Sequence, residues 1–245
     1  MQRIGLFLVI FLLSFPVYSQ IGKVQPANVM VVKQQEHLLE DNEIFSRYLR
    51  GTYTPKPTNI DGSPYLTDEY STSLLYFQDK EPFHALARYN VVKEIMEVLV
   101  EHQNYILQDA IDIKMDGHFY RKFSYRNGDK ELRQGYFKVI SDDSEFGAVT
   151  LLEKPLKKVK PGEAAGPMRP ATNPYYVDNS ELYIRFENSN YAHQVEKSTR
   201  NFIKLFPKEH RAKVKSFMKE KRLKSKTAED VLEVVTFYNS LEANK

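Results

Sequence analysis

Six histidines are the side chains of this sequence best suited to binding a metal or transferring a proton near neutral pH. No two of them stand in a His-x-Glu or His-x-x-x-His arrangement, which a metal site on one helix or strand usually requires. His84 and His118 could meet only if a sheet brought their strands together. The spacing therefore predicts no metal site and no cofactor.

Acidic residues form two further groups that could do chemistry. Asp109, Asp112 and Asp116 are spaced unlike the ligands of a calcium loop. Residues 142–145 read Asp-Asp-Ser-Glu between two predicted strands, which would suit a loose cation site or a general acid/base pair. The same composition is typical of a polar hairpin loop, and we favour that interpretation.

Motifs for nucleophilic catalysis and phosphate binding are missing from the sequence. It contains no Gly-x-Ser-x-Gly, no Ser-x-x-Lys with its partner motifs, no Gly-x-Gly-x-x-Gly and no Walker-type lysine motif. The chain has 0 cysteines, which excludes thiolate nucleophiles, disulfides and cysteine-ligated metals. We predict no catalytic residue, although an active site assembled from scattered residues stays open as an alternative.

Positive charge is concentrated in residues 208–226, where nine lysines and arginines face two glutamates. The residues predicted to contact an anionic surface are Lys208, Arg211, Lys215, Lys219, Arg222 and Lys226. A second cluster consists of Lys154, Lys157, Lys158 and Lys160. Such clusters suit an anionic membrane, an acidic polysaccharide or an acidic envelope protein, and the alternative is a solvated helix face. The net charge of +3 is too small to indicate nucleic acid, and none is expected.

Alternation of apolar and polar residues dominates positions 71–187. Between residues 111 and 140, Asp116-Gly117 and Asn127-Gly128 separate three alternating segments. These dipeptides suit type I′ turns, because both central residues take a positive φ. The pattern predicts a meander of three antiparallel strands. Aromatic residues point to both of its faces, which predicts a sheet covered on each side; they are Phe119, Tyr120, Phe123, Tyr125, Tyr136 and Phe137.

Shorter strands are predicted on both sides of this meander, over 73–77, 84–92, 94–100, 103–108, 147–153 and 182–187. Residues 154–173 are rich in proline and glycine and predict a long irregular loop. After residue 190 the period is that of helices, predicted over 196–206, 208–223 and 228–241. The fold class predicted is α+β: an antiparallel meander, half-barrel or barrel followed by a three-helix C-terminal segment.

Export is predicted by the N-terminus. Arg3 precedes an apolar run over residues 4–15, Pro16 interrupts it, and Ser19 is a small residue before a cut ahead of Gln20. The run is shorter than the ~20 residues that span a bilayer, although an uncleaved anchor is the alternative. We expect location in the periplasm or cell envelope. The predicted divisions are a signal peptide at 1–19, a lead-in with one short helix (34–50) and a loop at 20–70, a β body at 71–190 and helices at 191–245.

Several short motifs resemble those of a loosely defined group of exported proteins of Bacteroidota. They are Gly62-Ser63-Pro64-Tyr65, Arg88-Tyr89-Asn90, Met96-Glu97-Val98 and Phe237-Tyr238-Asn239, together with the Gln after the signal and the lysine-rich helices. The resemblance spans most of the mature chain. It implies a location in the envelope and a β-rich fold, and it brings no activity or catalytic residue with it.

The sequence therefore favours a non-enzymatic exported binding or interaction module, whose sheet and basic helices form the contact surfaces. One alternative is a carrier of a small apolar ligand inside a closed barrel, and another is a hydrolase with a scattered site. A carrier needs an apolar cavity, and an enzyme needs converging titratable groups. An interaction module needs an exposed patch that is apolar or of a single charge sign.

Overall fold

The computed structural model describes residues 49–55, 58–77, 81–100, 102–108, 111–126, 131–141 and 147–243. Several sequence predictions lie outside these residues and stay predictions: the signal peptide with its cleavage site, residues 34–48 of the first helix, the Asn127-Gly128 turn, Asp109 and the acidic segment 142–145.

Thirteen strands are formed by the described residues, and eleven of them make one antiparallel sheet in the order β1-β5-β4-β3-β2-β6-β7-β8-β9-β12-β13. The bounds are β1 Leu49–Thr52, β2 Ser71–Tyr76, β3 Phe83–Asn90, β4 Ile95–Val100, β5 Gln103–Leu107, β6 Asp112–Met115, β7 His118–Arg126, β8 Leu132–Val139, β9 Val149–Lys154, β12 Glu181–Phe186 and β13 His193–Gln194. A separate hairpin pairs β10, Lys157–Lys160, with β11, Tyr175–Asp178.

The predicted meander is confirmed in β6, β7 and β8, which are consecutive in sequence and adjacent in the sheet. The turn between the first two has φ of 51° at Asp116 and 79° at Gly117, the positive pair that a type I′ turn requires. Pairing of β6 with β7 across this turn runs from Ile113↔Tyr120 to Met115↔His118. Asp-Gly therefore sets the register of this part of the sheet.

Both faces of the meander are covered, as the aromatic alternation predicts. Tyr136 and Phe137 are consecutive in β8, so their side chains leave opposite faces of the sheet. Tyr136 belongs to a core cluster with Tyr120 and the buried side chains of β2 to β6. Phe137 belongs to another cluster, with Tyr125 and Tyr183. One strand therefore divides two cores.

The sheet is strongly curved but open. Five strand-to-strand steps separate β3 from β9, which is about 24 Å in a flat sheet. Nevertheless Lys154 Nζ of β9 lies 3.3 Å from Tyr89 Oη of β3. Since β1 and β13 end the order of the described strands without pairing with each other, the closed-barrel alternative is wrong and the half-barrel alternative is confirmed.

Three C-terminal helices follow the sheet, as predicted: α1 Thr199–Leu205, α2 Arg211–Lys221 and α3 Ala228–Ala243. Their apolar stripes pack on each other and on β9 and β12; the fully or nearly fully buried members are Phe202, Phe206, Val214, Met218, Val231, Val234, Val235, Tyr238, Val149, Leu151 and Ile184. Thr227 begins α3 as a capping residue, since its Oγ1 accepts from Asp230 N at 3.3 Å. The α+β fold class is therefore confirmed.

Two of the predicted elements are corrected by the structure. Leu49 and Arg50 belong to β1, so the predicted helix does not extend to residue 50; pairing of Leu49 with Leu107 of β5 overrides the weak helical pattern. The predicted loop over 154–173 contains β10, because Lys157–Lys160 pair with Tyr175–Asp178. The sheet also begins before residue 71 and ends after residue 190, with β1 and β13.

Asn239 fastens α3 to the sheet. Its Oδ1 accepts from Val149 N at 2.8 Å and its Nδ2 donates to Val149 O at 2.9 Å. We expect Asn239→Ala to lower the free energy of unfolding by about 1–3 kcal/mol, because both backbone groups lose their partner beside a buried residue. Denaturant unfolding measures this loss, with Ser240→Ala at the exposed neighbouring position as the control. Equal stability of the two variants would show that the contact is dispensable.

Candidate binding site

Three of the four short motifs behind the resemblance, those of residues 62–65, 88–90 and 96–98, meet in a cluster around β3 and β4. Arg88 and Glu97 are directly opposite each other in the ladder. Arg88 donates to Glu97 Oε2 from Nε at 3.0 Å and from Nη2 at 2.9 Å, and the Glu97 side chain has no exposed surface. The guanidinium lies 3.8 Å from the ring centroid of Tyr65 and 4.4 Å from that of Tyr70. This cluster therefore has the geometry of a structural clamp that holds residues 65–70 against the sheet.

A second buried ion pair joins distant strands. Lys154 is fully buried, and its Nζ lies 3.2 Å from Glu94 Oε1. The same oxygen accepts from Tyr125 Oη at 3.1 Å. Lys154 Nζ also donates to the carbonyl of Tyr136 at 3.4 Å. Tyr136 lies outside the β8–β9 ladder, which consists of the pairs formed by Lys138 and Val139. The amine thus provides a hydrogen-bond donor to the β8 backbone at a position where β8 does not pair with β9.

This location corrects the second basic cluster predicted from the sequence. Lys154 lies inside the protein, whereas Lys158 and Lys160 are exposed on β10. Lys157 is largely buried and lies 3.3 Å from Asp178 on the paired strand. Burial lowers the pKa of Lys154, and Glu94 opposes that shift. The four lysines do not form one anion-binding surface.

The groove between α1 and α2 is the surface that best fits the predicted contact role. Its volume is about 560 Å³. Ile203, Met218 and Leu223 give it an apolar floor, and four cations surround that floor: Arg200 and Lys204 of α1, and Lys215 and Lys219 of α2. All four cationic residues are exposed, and none of the described residues that line the groove is acidic. We call this surface the basic groove.

Two of the six predicted contact residues, Lys215 and Lys219, therefore lie in the basic groove. Arg211 is turned to the end of α1, where it donates to Phe206 O at 2.8 Å and to Lys204 O at 2.6 Å. Arg222 is the left-handed C-cap of α2, with φ of 57°. Lys208 and Lys226 are exposed in the turns before α2 and α3 and do not line the groove.

Arg200 and Lys204 were missed by the sequence reasoning. Both lie on the short helix α1, outside the continuous basic run, and their spacing of four residues was the available signal. They become part of a site only because α1 packs beside α2, which brings two basic pairs to opposite walls of one groove.

Those histidines and carboxylates singled out by the sequence that the structure describes do not converge. Three strand-to-strand steps separate His84 from His118, about 14 Å across the sheet, and both side chains are exposed. Asp112 pairs with Arg121 at 2.7 Å, and Asp116 accepts from Ser71 at 3.2 Å. Among the described residues, no group of three or more histidine or acidic side chains could hold a metal ion.

Fold and surface together define an open antiparallel half-barrel with a helical segment that carries a basic groove. Comparisons with protein-family models, curated proteins and solved structures gave no match to this chain. In the part of the chain that the structure describes, the helices are too short or too polar to cross a membrane.

Proposed function

We propose that this protein is a non-enzymatic exported binding module whose C-terminal helices dock on an anionic membrane surface through the basic groove. The observation that carries the proposal is the ring of four cations around an apolar floor, without an acidic side chain among the described lining residues. An anionic lipid supplies the two complementary parts, a negative headgroup and an acyl chain.

The charge arrangement is unfavourable for the protein alone. Lys215 and Lys219 are four residues apart on α2, and Arg200 and Lys204 are four apart on α1. Like charges at this spacing destabilise a helix by about 0.2–0.5 kcal/mol per pair. Packing the two helices side by side adds repulsion across the groove. An anion bound between them relieves both effects, so the arrangement favours a negatively charged partner.

The apolar floor favours a lipid among anionic partners. Ile203 and Leu223 are half-buried, so each presents apolar surface between the basic walls. A basic rim around apolar side chains is the arrangement with which peripheral proteins bind the boundary between headgroups and acyl chains. Each basic residue near an anionic membrane contributes about 1 kcal/mol, and apolar burial adds to this.

Charge reversal at the groove tests the proposal. We expect K215E/K219E to weaken binding of the chain that begins at Gln20 to phosphatidylglycerol vesicles by roughly 30-fold to 700-fold, since two cations are lost and two anions gained. Co-sedimentation over a range of lipid concentrations measures the change. Phosphatidylcholine vesicles should bind neither protein.

A matched control is available on the same helix. K213E/K221E makes the same change in charge and, like the first variant, replaces one lysine of the last turn. With 100° per residue, both of its positions lie about 140° around the helix from the groove. This variant should bind nearly as well as the unaltered chain. An equal loss of vesicle binding in both variants would indicate unspecific charge attraction. If the unaltered chain did not bind phosphatidylglycerol vesicles, the proposal would be wrong.

A further inference from the structure

A second pocket, remote from the basic groove, lies where the β3–β4 turn meets β7 and β8. Its volume is about 580 Å³, within the range of small-molecule sites. We call it the sheet pocket. Its charged lining residues are Arg50, Lys93, Glu94, Lys122 and Arg133, and its apolar ones include Val92, Ile95 and Ile106.

Cations outnumber anions in the sheet pocket by four to one among the described lining residues, and one of these cations, Arg133, also pairs with Glu131 at 3.3 Å. The one carboxylate is partly neutralised from behind, since Lys154 Nζ lies 3.2 Å from Glu94 Oε1. Lys122 lies close enough to Lys154 to lower the pKa of that amine further, after the larger effect of burial. The positive charges therefore converge on the pocket from several strands, which favours a negatively charged ligand.

Glu94 and Val92 add two further requirements that a ligand of the sheet pocket must meet. The side chain of Glu94 is 27% exposed, so beside its partners it can accept a hydrogen bond from a ligand hydroxyl. Val92 is 46% exposed at the pocket and offers apolar contact to a ring. A ligand that complements these charged and apolar residues carries an anionic group, hydroxyl donors and a small apolar face.

Gly135 leaves room for this arrangement. A Cβ at this position would collide with Glu94 Oε2 and would lie 2.5 Å from Lys154 Nζ. The glycine on β8 thus lets the carboxylate and the amine approach the strand closely at the wall of the pocket.

We infer that the sheet pocket binds a sugar acid, a small hydroxylated ring that carries a carboxylate. The cations that line the pocket hold the carboxylate, Glu94 accepts from a hydroxyl, and Val92 packs against the ring. The site is independent of the basic groove, because the two share no residue.

Calorimetric titration of the chain from Gln20 with glucuronate tests this assignment. Glucose lacks the carboxylate and acetate lacks the hydroxyls, so each should bind at least about tenfold more weakly than glucuronate. This comparison needs no variant. A tighter interaction with oligogalacturonate than with glucuronate would identify an acidic polysaccharide as the source of the sugar acid.

Variants then locate the site. K122Q/R133Q should weaken glucuronate binding at least about tenfold. K158Q/K160Q, which removes two exposed charges from β10, should leave it unchanged, as should K215E/K219E. Failure of the unaltered chain to distinguish glucuronate from glucose would overturn the inference, and so would equal loss in K122Q/R133Q and K158Q/K160Q. Neither result would bear on vesicle binding by the groove.

Discussion

Replacing Arg88 with methionine is expected to lower the free energy of unfolding by about 3–5 kcal/mol. The variant keeps an unbranched apolar stem but leaves the fully buried Glu97 carboxylate without its cation. It also removes the stacking on Tyr65 and Tyr70 and the bond from Nη1 to Asp68 O at 3.1 Å. Chemical denaturation at neutral pH measures the loss.

Two companion variants separate charge from geometry at this cluster. Arg88→Lys retains the charge but cannot reproduce the guanidinium fork, so we expect an intermediate loss. R88M/E97M removes both charges and should be more stable than R88M alone, because no buried carboxylate is left unpaired. A loss below about 1 kcal/mol in R88M would contradict the role assigned to the cluster.

Glu94→Gln is expected to lower the free energy of unfolding by about 3 kcal/mol. This is near the lower limit for breaking a buried ion pair, because the Glu94 side chain is partly exposed. The variant leaves the Lys154 ammonium in the protein interior with only tyrosine and carbonyl partners. E94Q/K154M removes that ammonium and should recover most of the loss. Glu153→Gln is the control, since the partly exposed Lys138–Glu153 pair is 3.9 Å apart and should contribute less than about 1 kcal/mol.

The loss in Glu94→Gln should also depend on pH. Burial lowers the pKa of Lys154 in the folded chain below its ordinary value of 10.5, which the unfolded chain keeps. At pH values between these two pKa values, the unfolded chain therefore binds more protons than the folded chain. Stability therefore rises with pH in this window, and the deficit of the variant should shrink from neutral pH toward pH 10. Above pH 10 the stability of both proteins falls, because burial raises the pKa of Tyr65 and of Tyr238 to about 12 and the unfolded chain loses those protons first. A deficit that is constant from neutral pH to pH 10 would argue against a charged Lys154.

Local patterns in the sequence were sufficient for the long elements. Asp116-Gly117 gave the first turn of the meander because two positive φ values leave few alternatives. The three helices followed from apolar residues at helical spacing. β1, β10, β11 and β13 have only two to four residues, too few for a period to emerge, and the partner of β1 lies far away in sequence.

The sites were less predictable than the fold. Lys154 looks like one more lysine in a basic stretch, and only the curvature of the sheet shows that it meets Glu94 across the core. Arg88 and Glu97 lie nine residues apart on neighbouring strands, and their register decides that they pair. Lys215 and Lys219 of the basic run line one wall of the groove, whereas the opposite wall depends on how α1 packs against α2.

The most direct test of membrane docking uses the absence of cysteine from the chain. A single cysteine at Ile203, on the floor of the groove, can carry an environment-sensitive dye, and a second protein with the dye at Lys213 serves as the reference. On addition of phosphatidylglycerol vesicles, we predict a blue shift and a rise in emission at position 203 and little change at position 213. An unchanged spectrum at position 203, or the larger response at position 213, would contradict docking through the groove.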